Sequence, residues 1–406
     1  MSVPTSTTQH GALERAGLRR VVVVLSITEI TSWGVLYYAF PVLATSIVHD
    51  TGWSTTAITA AFSTSQIVAA VLGIVVGRII DRYGPRVVMT GGSVLALPAV
   101  LVIANASTIG VFFAGWVLAG TAMAGMLYPP AFAALTHWGG SRRVAALTTV
   151  TLVAGLASTV FAPLTALLNQ HLDWRHTYLA LLAGLALITI PAHWFGLRQP
   201  WTAHHKRPDN SPAPTDRVWT TRPFLLLALS TSAVAFSIYA VVINLVPLLV
   251  ERGFSTGQAA LALGLGGIGQ VAGRLGYAAF AARVGTIART VIIFGAVAGS
   301  TALLALLPGP MVALFVVSAL VGVSRGIFTL IHATAVSDRW GVRGFGKLNG
   351  ILSAPVLIAS AVAPFAGAVL AEGTGSHANA FLVLSAVATA AAITALGTTP
   401  RRRSFS

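Results

Sequence analysis

Long runs of apolar residues, separated by short polar connectors, dominate the chain from about residue 20 onward. Most runs are close to the length of about 20 residues that a membrane-spanning helix needs. They are continuous, whereas the strands of membrane barrels are shorter and alternate between apolar and polar residues. We therefore predict about twelve membrane-spanning helices, over residues 20–47, 55–80, 87–105, 108–135, 145–168, 177–198, 223–250, 257–281, 289–307, 311–336, 347–371 and 377–398.

The composition independently favours a membrane protein. Hydrophobic residues make up 55% of the 406 residues and charged residues only 9%, whereas soluble domains carry about 25% charged residues. The chain has no cysteine, which excludes disulfides, thiol chemistry and cysteine-ligated metals. It also lacks a Gly-x-x-x-x-Gly-Lys-Ser/Thr phosphate loop, so ATP-driven transport is not supported. We expect no enzymatic activity, no cofactor and no metal site.

The basic residues predict the orientation in the membrane. The formal net charge is +15, and 21 of the 25 lysines and arginines lie before the first predicted helix, at the even-numbered connections or in the tail. The odd-numbered connections hold only Arg175 and Arg252. Because basic connections stay on the cytoplasmic side, we predict an inner or plasma membrane protein with both termini in the cytoplasm. The charge then reflects topology, and no nucleic-acid partner is expected.

The longest polar stretch divides the chain into two parts. Residues 199–222 are rich in Pro, His, Asp and Thr, which predicts a flexible cytoplasmic linker. It separates an N-terminal six-helix half, residues 1–198, from a C-terminal six-helix half, residues 223–406. The halves look like repeats, because the Trp-Gly sequence at Trp138 recurs at Trp340, about two hundred residues later.

One connection carries many charges between two apolar runs. It reads Gly77-Arg-Ile-Ile-Asp81-Arg82-Tyr-Gly84-Pro-Arg86. This stretch resembles, at every fixed position, the signature loop of the major facilitator superfamily, Gly-x-x-x-Asp-Arg-x-Gly-x-Arg/Lys. The resemblance implies an all-α membrane protein with twelve transmembrane helices in two pseudo-symmetric halves that rock about a central site. It also implies a gating loop that stabilises the outward-facing state, formed by Gly77, Asp81, Arg82, Gly84 and Arg86. The same charges could instead simply anchor the topology.

Two local patterns resemble one subgroup of that superfamily. Ser32-Trp-Gly-Val-Leu-Tyr-Tyr-Ala-Phe40 and Gly269-Gln270-Val-Ala-Gly273-Arg274 are similar to bacterial members of the monocarboxylate transporter and oxalate/formate antiporter group. The eighth helix of that group carries an arginine implicated in carboxylate binding, which implies this role for Arg274. The first helix departs from the pattern of the animal carriers, since it holds Glu29 and no lysine.

Three ionisable residues, Glu29, Arg274 and Arg325, fall well inside predicted helices. A charge at the bilayer centre costs several kcal/mol unless it is paired or hydrated, so such residues usually face the interior of the bundle. Arg274 can hold a carboxylate with its planar guanidinium, or it can form an ion pair with Glu29. Arg325 can bind an anion or lock two helices together, and Glu29 can carry a proton or act as a fixed counter-ion. Tyr37 and Asn244 are the strongest of the uncharged candidates for lining the cavity.

These features predict a secondary active transporter that carries a small organic anion, of the monocarboxylate type, in symport with protons. The expected partners are the substrate, protons and the lipid bilayer, and a monomer is expected to suffice. Arg274, Arg325, Tyr37 and Asn244 are the predicted substrate-binding residues, and Glu29 is the predicted proton-coupling residue. The alternative is a proton-driven exporter of drugs or secondary metabolites. A membrane receptor or scaffold that does not transport is a third possibility, against which the complete signature loop argues.

Overall fold

The computed structural model describes residues 13–201, 218–341 and 345–399, and within these ranges the chain is almost entirely helical and contains no strand. The α-helices are α1 (Arg15–Trp33), α2 (Ala39–Thr51), α3 (Thr55–Tyr83), α4 (Pro85–Ala104), α5 (Ile109–Met126), α6 (Tyr128–Gly139), α7 (Arg143–Ala154), α8 (Ala157–His171), α9 (Trp174–Gly196), α10 (Arg222–Glu251), α11 (Thr256–Arg283), α12 (Thr286–Leu306), α13 (Met311–Thr334), α14 (Ser337–Trp340), α15 (Phe345–Thr374) and α16 (His377–Ala395). A π-helical turn, Gly34–Tyr38, joins α1 to α2.

Each of the twelve predicted crossings has a helical counterpart in the described part of the chain. Ten segments there are long and apolar enough to cross a membrane, and one of them, Ile109–His171, contains both the fourth and the fifth predicted crossings. The predicted eighth crossing is α11, which is not among the ten. Its glycines, Gln270 and Arg274 lower its hydropathy. The structure is therefore consistent with twelve crossings.

Three crossings contain a local break that the apolar pattern does not show. The first runs from Arg15 to Thr51 with the π-helical turn at its centre. The fourth breaks at Leu127, where Pro129 lies in the first turn of α6, a position that tolerates proline because its missing N–H has no intrahelical partner. The fifth breaks between α7 and α8 at Gly155. These breaks change the direction of side chains near the middle of the bundle.

Helices α11 and α13 approach each other unusually closely through glycine. A Cβ atom at Gly269 would lie 2.0 Å from the carbonyl oxygen of Ala319, and one at Gly273 would lie 2.4 Å from that of Val323. On the facing helix, a Cβ atom at Gly326 would lie 2.2 Å from the carbonyl oxygen of Gln270. Small residues allow membrane helices to pack backbone to backbone in this way. The glycine-rich run of α11 therefore serves helix packing.

The two halves meet along the first parts of α3 and α11. Thr56 of α3 donates a hydrogen bond to Glu372 of α15, and the Phe365 amide donates one to the Ser63 hydroxyl. A second seam joins α8 and α11, where the Thr159 hydroxyl donates to the Gly264 carbonyl at 2.8 Å. The buried residues of α11 all precede its Arg274. The halves are thus closed around the starts of α3 and α11 and separate toward the ends of these helices.

Candidate functional site

A cavity of about 320 Å³ lies where the two halves begin to separate. It is lined by residues of both halves, from the first, fourth, fifth, seventh, eighth and tenth crossings. These residues are Trp33, Tyr37, Tyr38, Tyr128, Phe132, Thr151, Ala154, Tyr239, Gln270, Arg274, Arg325, Thr329, Leu330 and Ala333. Three of the predicted substrate-binding residues, Arg274, Arg325 and Tyr37, are therefore brought together in one space.

Arg325 is the more deeply buried of the two arginines that line this cavity, and it forms no ion pair within the described part of the chain. The residue is only 5% exposed. Its Nη2 donates to the Tyr38 hydroxyl at 3.1 Å and to Oε1 of Gln270, while its Nε has no hydrogen-bond partner. Among the described residues, no carboxylate lies within the 4.0 Å of an ion pair. Neutral groups thus hold this guanidinium with part of its donor capacity unused.

Arg274 lies on α11 at the boundary between the halves. Its Nη1 donates to the backbone carbonyl of Thr151, on α7 of the first half. The side chain is half-buried and lines the cavity. The ion pair with Glu29 that the sequence allowed is not formed among the described residues. Two guanidinium groups that have no acidic partner in the described ranges therefore line the same cavity.

Glu29 is fully buried in α1, one helical turn before Trp33. The Trp33 indole N–H donates to Glu29 Oε2 at 3.1 Å, and Oε1 has no hydrogen-bond partner. The carboxyl group does not line the cavity itself, but Trp33 does. Trp33 is thus the direct link between the buried carboxyl group and the central space.

The π-helical turn places two consecutive tyrosines at the cavity. In an α-helix, neighbouring side chains point about 100° apart, but the wider π turn lets both Tyr37 and Tyr38 line the same space. At the start of this turn, a Cβ atom on Gly34 would lie 2.1 Å from the ring of Phe161. Only glycine therefore fits between the first helix and α8 at this point. The sequence prediction did not include this turn.

Aromatic rings form most of the wall contributed by the first half. The Trp33 ring lies 5.3 Å from that of Tyr37 and 5.2 Å from that of Tyr128, measured between centroids. Tyr128 stacks on Phe132, one turn along α6, at 5.0 Å. These spacings are within the range of favourable aromatic pairs.

Two further residues differ from what the sequence suggests. Gln270 was not predicted as a site residue, although its position one turn before Arg274 in an apolar run was a usable signal. Asn244 is buried on α10 but is not among the lining residues. Its amide donates to the backbone carbonyls of Ala240 and Pro364, at 2.9 and 3.3 Å. The structure thus places Asn244 at the contact between α10 and α15.

The signature stretch lies at the open end of the bundle, between α3 and α4. Gly84 has a φ of 79°, and a Cβ atom there would lie 2.9 Å from the Trp201 ring, so conformation and space both require glycine. Arg86 donates to the Trp194 carbonyl at 2.9 Å and lies over its ring. Asp81 and Arg82 are exposed, and Asp81 has no ion pair within the described ranges. Gly77 lies within α3, and a side chain there would meet no atom within 4 Å.

Solved structures of transporters share this architecture. The nucleoside transporter NupG superposes with a TM-score of 0.74 at 14% identity, over 94% of this chain and 100% of its own. A bacterial homolog of the human lysosomal transporter Spinster, solved in an inward-facing and unoccupied conformation, gives a TM-score of 0.68 at 15% identity, over 95% of this chain and 96% of its own. At such identities the likeness concerns the fold.

Sequence relatives carry a more specific name. Human monocarboxylate transporter 11 is 26% identical over 363 residues, which covers 85% of this chain and 74% of the relative. Rat monocarboxylate transporter 13 is 25% identical over 312 residues, or 75% of this chain and 71% of the relative. The family model of the Major Facilitator Superfamily matches residues 25–345, which include the signature stretch and the whole cavity lining. The chain therefore belongs to the Major Facilitator Superfamily and is a multi-pass membrane transporter.

Proposed function

We propose that this transporter carries a small organic anion of the monocarboxylate type together with protons, by alternating access at the central cavity. The observation that carries the proposal is Arg325, a guanidinium 5% exposed that lines the cavity without an acidic partner among the described residues. A buried charge is costly unless it is paired, and an anionic substrate would supply the missing charge. The relatives named monocarboxylate transporters support the same substrate class.

Arg274 adds a second cation to the same cavity, and its backbone bond to Thr151 crosses between the halves. An exporter of cationic drugs would need acidic groups facing the substrate. The acid nearest to this cavity along the first helix, Glu29, is directed at the Trp33 indole. The charges of the site therefore favour an anion.

In this mechanism the N-terminal half, residues 1–198, and the C-terminal half, residues 223–406, are the two rocking bodies. Most of the linker 199–222, namely 202–217, lies outside the described residues, as do Arg343 and the basic tail. The hydrogen bonds that join the starts of α3 and α11 to the opposite half support closure at one end. With both termini in the cytoplasm, that closed end is extracellular and the cavity faces inward.

The orientation can be tested by cysteine labelling, because the chain contains no native cysteine. Ser107 and Ser141 are both exposed and lie at connections predicted to be on opposite sides. A membrane-impermeant maleimide added to intact cells should label Ser107→Cys but not Ser141→Cys, and both should react in permeabilised cells. The reverse pattern would show that the termini are outside.

Arginine-to-lysine changes test the anion site while keeping its charge. Lysine lacks the planar fork that binds a carboxylate with two hydrogen bonds. Loss of one charge-assisted contact costs about 1.5–3 kcal/mol, so Arg325→Lys should weaken binding about ten- to a hundredfold, and Arg274→Lys should do the same if both arginines hold the anion. Equilibrium binding of labelled carboxylates to purified protein measures this loss.

Arg19→Lys is the matched control, because Arg19 is exposed in the first turns of α1 and does not line the cavity. It should bind as the unchanged protein does. Arg325→Ala protein that still accumulates a carboxylate fully would exclude Arg325 as the anchor.

Glu29 is proposed to carry the coupled proton, because it is a fully buried carboxyl group of the first crossing whose Oε1 has no hydrogen-bond partner among the described residues. Glu29→Gln keeps the shape of the side chain and an oxygen that can accept the Trp33 N–H bond. We expect this variant to exchange substrate across proteoliposomes but to lose accumulation driven by a pH gradient. Glu14→Gln, an exposed change before α1, should retain both activities. Gradient-driven accumulation by Glu29→Gln at the normal level would remove Glu29 from the coupling mechanism.

Asp81 and the arginines around it are proposed to act as a gate. Asp81→Asn removes one charge from a contact made in one state only, so the protein should insert normally while its transport cycle slows several-fold. Asp173→Asn is a suitable control, since Asp173 caps α9 at the opposite end through the His176 amide, and asparagine caps equally well. Uptake rates normalised to membrane expression measure the difference. Normal turnover in Asp81→Asn would exclude the gating role, and the charges of the stretch would then serve only to anchor the topology.

A further inference from the structure

We infer that the transported anion is an aromatic carboxylate, which is bound by groups from both halves. The cations of the second half would hold its carboxylate, and the aromatic wall of the first half would hold its ring. The inference rests on the proposed anion transport and narrows its substrate class.

The cavity has two chemically different walls. The charged groups, Arg274 and Arg325, come from α11 and α13 of the second half. Trp33 and Tyr37 from the first crossing, with Tyr128 and Phe132 of α6, form the aromatic wall in the first half. The walls meet where the Tyr38 hydroxyl accepts from Arg325, so a ligand that satisfies both must carry an anionic group on a short linker to an apolar ring.

The aromatic wall is already assembled and retains uncovered ring surface. The ring pairs Trp33–Tyr128 and Tyr128–Phe132 have centroid separations of 5.2 and 5.0 Å. These three residues are only partly buried although they line an interior cavity. Part of each ring is therefore left for a ligand to cover. Ring-to-ring contacts contribute beyond the area that they bury.

The size of the cavity also favours an aromatic carboxylate. Its volume of about 320 Å³ lies at the lower end of the roughly 300–1,000 Å³ that is typical of pockets for drug-sized ligands. An acid with two or three carbons could reach Arg325 but would leave the aromatic wall in contact with water. A carboxylate that carries a phenyl ring on a short linker would fill both parts.

The apolar aliphatic lining is small in comparison. It consists of Ala154, Leu330 and Ala333, two of which are alanines with little side-chain surface. An alkyl chain would thus bind mainly by contact with ring faces, and it would lack the additional free energy of ring-to-ring contacts. This difference predicts a preference for an aromatic ring over a saturated ring of the same size.

The test compares three carboxylates and one alcohol by calorimetric binding to the purified full-length protein. We expect phenylpropionate to bind about three- to tenfold more tightly than cyclohexylpropionate, which has the same carbon skeleton without the π system. It should bind more than about tenfold more tightly than propionate, because propionate buries no ring. Phenylpropanol keeps the ring but has no charge, and it should bind much more weakly than phenylpropionate.

Substitutions in the aromatic wall should change the ring preference without abolishing carboxylate binding. Tyr128→Leu should bring the affinities for phenylpropionate and cyclohexylpropionate close together, whereas Tyr128→Phe should keep them apart. Phe132→Leu removes a different ring from the aromatic wall and replaces Tyr128→Leu in the test if that variant does not fold. Phe195→Leu is the matched control, since Phe195 is 52% exposed and does not line the cavity, and it should leave the preference unchanged.

The outcomes distinguish the preference for an aromatic ring from the proposed anion transport. If cyclohexylpropionate or propionate binds as tightly as phenylpropionate, while phenylpropanol binds weakly, the aromatic inference is overturned and anion transport stands. If phenylpropanol binds as tightly as phenylpropionate, the cations do not hold the substrate and the proposed function fails. Absence of binding by all four compounds would overturn both.

Discussion

The backbone contact between α11 and α13 is the constraint on which the site depends. A side chain at Gly269 or Gly273 would force these helices apart, since its Cβ would lie within 2.4 Å of a facing carbonyl oxygen. The same approach brings Gln270 of one helix against Arg325 of the other. A cation buried in a membrane needs such polar neighbours. Helix packing therefore makes it possible to hold a guanidinium at this depth without an acid, and the unused part of that guanidinium is what an anion can bind.

The sequence predicted the crossings well because hydropathy is a local property of each segment. Each predicted crossing corresponds to one or two helices of the structure. The family resemblance correctly implied the overall architecture. The sequence could not show the π-helical turn at Gly34–Tyr38, where Gly34 packs against the Phe161 ring from another crossing. Nor does hydropathy identify α11 as a crossing as readily as the others, because the glycines that allow its close packing against α13 add little apolar surface.

For the site, the sequence identified the charged residues but not their partners. The high cost of a charge in lipid is enough to predict that Glu29, Arg274 and Arg325 face the interior. Which groups they contact depends on helix rotation, and Glu29 proves to contact Trp33, while Arg274 contacts a backbone carbonyl. Asn244 shows the same limit, since a polar residue in an apolar run can bind backbone at a helix contact as readily as it can face a cavity.

The exposed position of Asp81 bears on its proposed gating role, because Asp81 lies at the end of the bundle opposite the described contacts between the halves. The described hydrogen bonds between the halves lie toward the other end, through Thr56 and Glu372 among others, and the buried residues of α11 all precede Arg274. A contact shifts the equilibrium between two conformations only if its free energy differs between them. A carboxylate that stabilises the outward-facing state must therefore lose its contact when the Asp81 end opens. The lack of an ion pair to Asp81 within the described ranges agrees with such a role. In contrast, Gly84 is fixed here by its φ and by Trp201, and Arg86 is held by the Trp194 carbonyl and ring, so the proposed gate would act mainly through Asp81.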